Sequence, residues 1–234
     1  MSDLRFAFRQ LLKNPGFTAV AVLTLGLVIG VCTTLFAVFN HQFFQPLPLT
    51  APETLVKLAR TNERGDLDIH LDAARLTEIQ RQSRSFDGLA AFSKVGRIRW
   101  TGREEAMHLT PRRVSPGFFD VFGIEPRPGR PFDAVDAETP ANHVIIDHGL
   151  WVQEFNGDTN VIGRTMILDG LPHTSVGVMP REVSRIGAAS QDGAWAGDVW
   201  LPHDFTSSED QTWFRVVGRL RAGTTFEQAR EEMR

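Results

Sequence analysis

Seven histidines, at 41, 70, 108, 143, 148, 173 and 203, are the side chains best suited to move protons or bind a metal, and their spacing supports neither role. Protein zinc sites draw on closely spaced Cys and His or on two His one helical turn apart, and neither an H-E-x-x-H nor a paired-Cys motif occurs. Asp147-His148 is the best local acid/base pair, yet adjacent residues at a strand end point to opposite faces. His143 and His148 straddle a strand and a helix start, a placement that reads as structural. A serine nucleophile on a sharp turn calls for G-x-S-x-G, which is absent. The phosphate-cradling loop G-x-x-x-x-G-K-S/T is absent too, so the chain does not read as an ATPase. The sequence therefore assigns no catalytic residue, no metal ligand and no cofactor. The tryptophans at 100, 151, 195, 200 and 213 read as anchors of core and loops rather than a stacking platform.

What must position these residues begins with a membrane anchor. Phe17 to Phe39 runs for twenty-three positions without Asp, Glu, Lys, Arg or His. A helix of that length rises about 35 Å, enough to cross a hydrocarbon core of about 30 Å with some tilt. A cleaved signal peptide would have a shorter apolar region and a small-residue cleavage site at its end, which Leu35-Phe36-Ala37-Val38-Phe39 does not offer. Before the span, Leu4, Phe8, Leu11 and Leu12 fall on one helical face opposite Arg5, Arg9 and Lys13. That pattern predicts a basic amphipathic helix over 1–16 lying on the membrane surface among its lipids, with Pro15-Gly16 as the elbow into a span over 17–40. Positive residues stay on the cytoplasmic side, so the N-terminus is expected inside and the bulk of the chain outside. Within the span Gly26 and Gly30 form a small-xxx-small pair that Thr33 continues, a face on which another helix can pack closely.

The first sixteen residues hold three of the 25 basic and one of the 28 acidic side chains, leaving 22 basic and 27 acidic elsewhere. This balance argues against a nucleic-acid partner, whose footprint is clustered Lys and Arg. The single cysteine, Cys32, sits in the span, so the outer part cannot rest on disulfides within the chain.

Past the membrane, Pro46-Leu47-Pro48 is a stiff exit, followed by a strand over Leu55 to Arg60 and a polar loop from Thr61 to His70. Apolar residues at helical spacing predict a surface helix over Leu71 to Arg84. Strands are expected over Leu89 to Trp100 and Glu105 to Val114, turning at Thr101-Gly102. Ser115, Pro116 and Gly123 read as N-cap, first turn and stop of a short helix anchored by Phe118, Phe119 and Phe122. A buried strand His143 to Asp147 runs into a helix His148 to Phe155, and Asp169-Gly170 marks a hairpin within Gly163 to Met179. Ser184 to Gly197 lacks periodicity and reads as a flexible loop. Strands resume over Asp198 to Pro202 and Trp213 to Leu220, and Thr224 or Thr225 caps a last helix. That helix is still amphipathic where the chain stops, which points to a fragment or a shortened reading frame.

In this order the segments resemble the amino-terminal portion of permeases of the MacB and FtsX-like family of ABC transporters, in a subgroup of large permeases of the acidobacterial type. The resemblance is carried by Asp3 through Thr18, the span, Pro46-Leu47-Pro48, Val114-Ser115-Pro116 through Gly123, Asp147-His148-Gly149-Leu150-Trp151, Val161-Ile162-Gly163-Arg164, Val176-Gly177-Val178-Met179-Pro180 and Gly218 through Thr225. It implies an α+β fold, with one transmembrane helix followed by a periplasmic core domain over 41–234. That domain is expected as two mixed subdomains, 50–115 plus 213–234 and an inserted 116–212. It further implies an inner-membrane permease subunit, not an enzyme, that relays motion driven by a partner ABC ATPase and works as a homodimer or with further permease helices. Val28, Val31 and Cys32 depart from the family's usual second Gly, Ala and Asn, and the three later transmembrane helices of family members have no counterpart in this sequence. The reading is therefore a truncated or partial permease subunit for export or mechanotransmission. The alternative is a single-span binding or adaptor protein of the periplasm.

Overall fold

The computed structural model describes residues 15–43, 49–61, 67–102, 105–138, 142–183, 196–206 and 213–233. The basic residues Arg5, Arg9 and Lys13 and most of the expected loop over Ser184 to Gly197 lie outside them. Two units are distinct, one ending at Pro46 and one from Leu47 to Arg234.

The first unit carries α1, Pro15–Phe43. Thr18–Phe36 within it is long and apolar enough to cross a membrane.

The second unit is α+β. In chain order it runs β1 Leu55–Leu58, β2 Arg60–Thr61, β3 Leu67–Asp68, α2 Ala73–Gln82, β4 Phe86–Lys94, β5 Ile98–Thr101, β6 Met107–Leu109, β7 Pro111–Val114, α3 Phe118–Phe122 and α4 Ala134–Glu138. It continues through β8 His143–Ile146, α5 His148–Phe155, β9 Thr165–Leu168, β10 Leu171–Val178, β11 Val199–Pro202, β12 Arg215–Leu220 and α6 Phe226–Glu232. Ten strands form one mixed sheet in the order β1-β12-β4-β7-β11-β8-β10-β9-β5-β6, and β2 and β3 form a separate ribbon. The pairs β7·β11 and β8·β10 are parallel.

Alternation along the strands divides the core. Phe92, Val114, Ile145, Trp200 and Val217 meet α3 through Phe118, Phe119 and Phe122. Their neighbours Phe86, Ala91, Val216 and Leu220 turn the other way onto Leu76 and Ile79 of α2 and Ala229 of α6. Farther along, Val144, Ile146, Val178 and Val199 gather with Trp100, Met166, Leu168 and Leu150 of α5. Aromatic edges knit the first cluster: the Phe118 ring lies 4.8 Å from Phe122 and 5.6 Å from Trp200 between centroids.

Three expectations are corrected. The stretch Leu89 to Trp100 is not one strand, because Val95-Gly96-Arg97 breaks it and β5 crosses to pair with β9 and β6 at the far side of the sheet. Glu105 to Val114 divides as well. The Asp198 carboxylate takes the Thr110 N–H at 2.6 Å and the Thr110 carbonyl accepts the Asp198 N–H at 2.8 Å, so β6 stays with β5 while β7 leaves for β4 and β11. Ser115 is not an N-cap, since its hydroxyl accepts the Ala91 N–H at 3.0 Å and its own N–H donates to the Ala91 carbonyl at 2.9 Å. It extends the β4·β7 ladder, and α3 starts three residues later after Gly117. Gly123 is the stop expected, with a left-handed φ of 65° that an L side chain rarely adopts.

The stretch Thr61 to His70, expected as a loop, also supplies β3 to the β2·β3 ribbon. At the hairpin and the last helix pattern and structure agree: Asp169 (φ 48°) and Gly170 (φ 82°) turn β9·β10, and Thr225 caps α6 in a capping box with Gln228. Asp147, expected as the end of a strand, caps α5.

Candidate functional site

Threonine hydroxyls of α1 bond back onto the helix's own backbone. The hydroxyls of Thr24, Thr33 and Thr34 donate to the carbonyls four residues earlier, Val20, Ile29 and Gly30, at 2.7–2.9 Å. A helix in hydrocarbon has no water to satisfy such groups, and this back-bonding meets that demand. Nothing lies within 4 Å of where a β-carbon would stand on Gly26 or Gly30. Thr33 is three residues beyond Gly30 and on its face, whereas exposed Cys32 is rotated about 100° from Thr33.

In the second unit the polar side chains with the most partners join segments rather than converge on a cavity. Arg219, on β12, donates through Nε and Nη2 to the Val121 carbonyl at 2.9 and 2.6 Å. Its remaining donors reach the Thr50 carbonyl at 2.6 Å, the Thr54 hydroxyl at 2.8 Å and the Ala51 carbonyl at 3.4 Å. Val121 and Phe122 belong to the last turn of α3, whose carbonyls have no intrahelical partner. Arg219 satisfies the first, and the Thr50 N–H donates to the second at 3.3 Å.

Glu232, near the end of α6, clasps the connection between α2 and β4. Its two carboxylate oxygens accept the Arg84 N–H at 2.7 Å, the Ser85 N–H at 3.0 Å and the Ser83 hydroxyl at 3.0 Å. Hydrogen bonding to Ser85 first, and to the Arg84 N–H next, holds the Glu232 carboxyl down at about 2 against its ordinary 4.5.

Asp136 is a third node, buried at 3% exposure. Its carboxylate bonds Arg130 at 2.6 and 3.1 Å, the Asp133 N–H at 2.9 Å and the His143 ring. Burial pushes this carboxyl up, but bonds from Arg130, Asp133 and His143, with the Arg130 charge, outweigh it and hold Asp136 at about 2. The sequence reading missed all three nodes. Arg219 and Glu232 find their partners far along the chain, beyond the reach of a local pattern, whereas those of Asp136 lie within seven residues of it, at Arg130, Asp133 and His143.

The residues that invited a chemical reading are occupied in structural contacts. The Asp147 carboxylate caps the Gly149 N–H at 2.8 Å, and the His148 ring edges against Trp151. His70 pairs with Asp68, and His173 Nδ1 lies 3.0 Å from the Leu171 carbonyl. No group of three or more His, Cys, Asp or Glu among the described residues is placed to hold a metal ion. Trp100 stacks on Phe155 and Trp200 is buried, while Trp213 is half exposed beneath the Arg60 guanidinium.

The chain thus has an apolar amino-terminal helix and, as a second unit, a mixed sheet with polar nodes that fasten one segment to another. Comparison with known proteins gives it a family: the profile of the MacB-like periplasmic core domain matches residues 18–234. The chain belongs to that family. Among curated relatives, the macrolide export ATP-binding/permease protein MacB of Salmonella paratyphi A is 27% identical over 161 residues, 68% of this chain and 24% of that protein. The chain thus spans about a quarter of the length of that relative. The periplasmic region of MacB from Actinobacillus actinomycetemcomitans has a similar fold, with a TM-score of 0.57 at 12% identity over 77% of this chain and 80% of that one. The extracellular domain of the ABC-type transporter YknZ from Gram-positive bacteria gives a TM-score of 0.53 at 14% identity, covering 76% and 88%. Within the MacB-like family, then, the α+β core domain and the apolar helix that precedes it form one continuous match.

Proposed function

We propose that this chain serves as the anchor and outer domain of a permease subunit in an ABC-type export or mechanotransmission complex, held in the inner membrane with residues 1–16 cytoplasmic and the core domain periplasmic. The observation that carries the reading is the single match from 18 to 234, which takes in both the apolar helix and the domain. Arg5, Arg9 and Lys13 set the orientation and rest on anionic lipid. Gly26, Gly30 and Thr33 receive a neighbouring helix, from a second copy or from further permease helices. A partner ATPase supplies the work, and the outer domain passes the motion on without catalysing a reaction.

The two-subdomain division belongs to the same proposal. Residues 50–115 with 213–234 supply β1, β12, β4 and β7, and 116–212 supplies β11, β8, β10 and β9. The β5·β6 hairpin, drawn from the first segment, completes the edge of the second.

Crosslinking of a tagged copy in native membranes tests the reading. An ABC ATPase together with permease helices is the expected capture. Recovery of periplasmic proteins alone would replace it with the adaptor function.

A further inference from the structure

We infer that Arg219 is a coupling latch: it fixes the first residues after the anchor to the returning strand β12, so that displacement of one is transmitted to the other. This deepens the permease reading above and rests on it.

The geometry is that of a clamp rather than an ion pair. A guanidinium has five N–H donors in a rigid fork. Here the five contacts go to the carbonyls of Thr50, Ala51 and Val121, the last taken twice, and to the Thr54 hydroxyl. Every acceptor is neutral, and no carboxylate among the described residues lies within ion-pair distance of Arg219. A group serving charge balance would have been paired with Asp or Glu. One that saturates its fork on carbonyls from two separate segments reads their relative position.

Both segments are themselves stiff. Ala51 holds a left-handed φ of 44°, and the Thr54 hydroxyl and N–H both bond its carbonyl, at 2.8 and 3.0 Å. A β-carbon on Gly123 would stand 2.1 Å from Thr50 Oγ1, so α3 and the incoming segment meet at backbone distance. On the other side, Arg219 lies opposite Leu55 of β1 and Gly88 of β4 in the sheet. A pull on Thr50 therefore reaches β12, β4 and α3 through one side chain. Lysine keeps the charge and the apolar stem but offers three donors on a single nitrogen, too few and too close together to span these acceptors.

The test uses the full chain in native membrane vesicles permeable to ATP, with Cys32→Ser and Leu171→Cys carrying a nitroxide at the exposed start of β10. In Arg219→Lys, amide exchange at Thr50, Thr54 and Ile124 is expected to rise roughly tenfold or more while that of Val144 to Ile146 is unchanged, the signature of a local opening in a folded domain. The ATP-dependent change in the nitroxide spectrum expected with Arg219 present should be lost in the same variant while ATP hydrolysis continues. Unchanged exchange at Thr50 would overturn the latch. Raised exchange with the spectral change retained would overturn its coupling role. No ATP-dependent change even with Arg219 present would instead overturn the permease reading, and the latch's role with it, leaving the exchange result as the mark of which failed.

Discussion

Gly129 and Gly177 face one another across an antiparallel bridge that leaves no room for a β-carbon on either residue. A β-carbon on Gly129 would stand 2.2 Å from the Val176 carbonyl oxygen, and one on Gly177 would stand 2.8 Å from that of Arg130. Gly129 also holds φ at 109°. The bridge, with the Arg130 N–H on the Val176 carbonyl at 3.0 Å, lays the segment before α4 along β10. Gly129→Ala is expected to cost about 3 kcal/mol through strain and lost bridging, read as a lower urea midpoint with unchanged slope.

Acid should loosen the two carboxylate nodes over a defined window. Both are depressed when folded, Glu232 from 4.5 and Asp136 from 3.8, each to about 2. Their contribution is therefore complete above the unfolded values and disappears as pH falls from about 4.5 to about 2. Thermal unfolding of Glu232→Gln and the unsubstituted chain should differ at pH 7 and converge toward pH 2. A gap that stays constant with pH would assign the effect to shape rather than charge.

Loss of the Asp136 carboxylate leaves the Arg130 guanidinium without its buried acceptor. Because Arg130 is itself half exposed, water compensates in part, and Asp136→Asn is expected to cost about 2 kcal/mol rather than the larger penalty of a fully buried pair. Chemical denaturation at pH 7 gives the number.

Ser175 runs against its surroundings. It is fully buried on β10, and its hydroxyl has no hydrogen-bond partner among the described residues. Ser175→Ala removes an unmet polar group and should stabilise the domain by about 1 kcal/mol, visible as a rise in melting temperature. A fall instead would show that the hydroxyl has a partner in solution.

Helix pairing through the glycine face can be read by disulfide capture. In a Cys32→Ser background, Gly30→Cys or Thr33→Cys should form a crosslinked dimer under mild oxidation, and the native Cys32, off that face, should crosslink much less. Equal yields from all three would remove the face as the packing surface.

Elements governed by local chemistry were legible in the sequence. The cap at Thr225, the Asp169-Gly170 turn and the Gly123 stop are set by residues that touch their near neighbours. The family fold was legible too, through the order of its segments. What escaped was where strands go. Leu89 to Trp100 alternates as one strand would, and only the pairing of Trp100 with Leu168 shows that its second half belongs to another part of the sheet. Ser115 has the right chemistry for a cap, but its hydroxyl is taken by Ala91, which a local pattern cannot reveal. The same holds for two of the polar nodes. Arg219 finds its acceptors 98 to 169 residues earlier in the chain, and Glu232 meets the Ser83 hydroxyl 149 residues earlier.

The position of β1 at the edge of the sheet, beside β12 alone, bears on how the domain is made. Leu55 pairs with Arg219, so about 160 residues must follow the first strand before its partner exists. At about 5–20 residues per second, that is a wait of roughly 8–30 seconds in which Leu55-Val56-Lys57-Leu58 has both edges open. The domain can close only near the end of its synthesis, and until then its first strand depends on being kept from other chains.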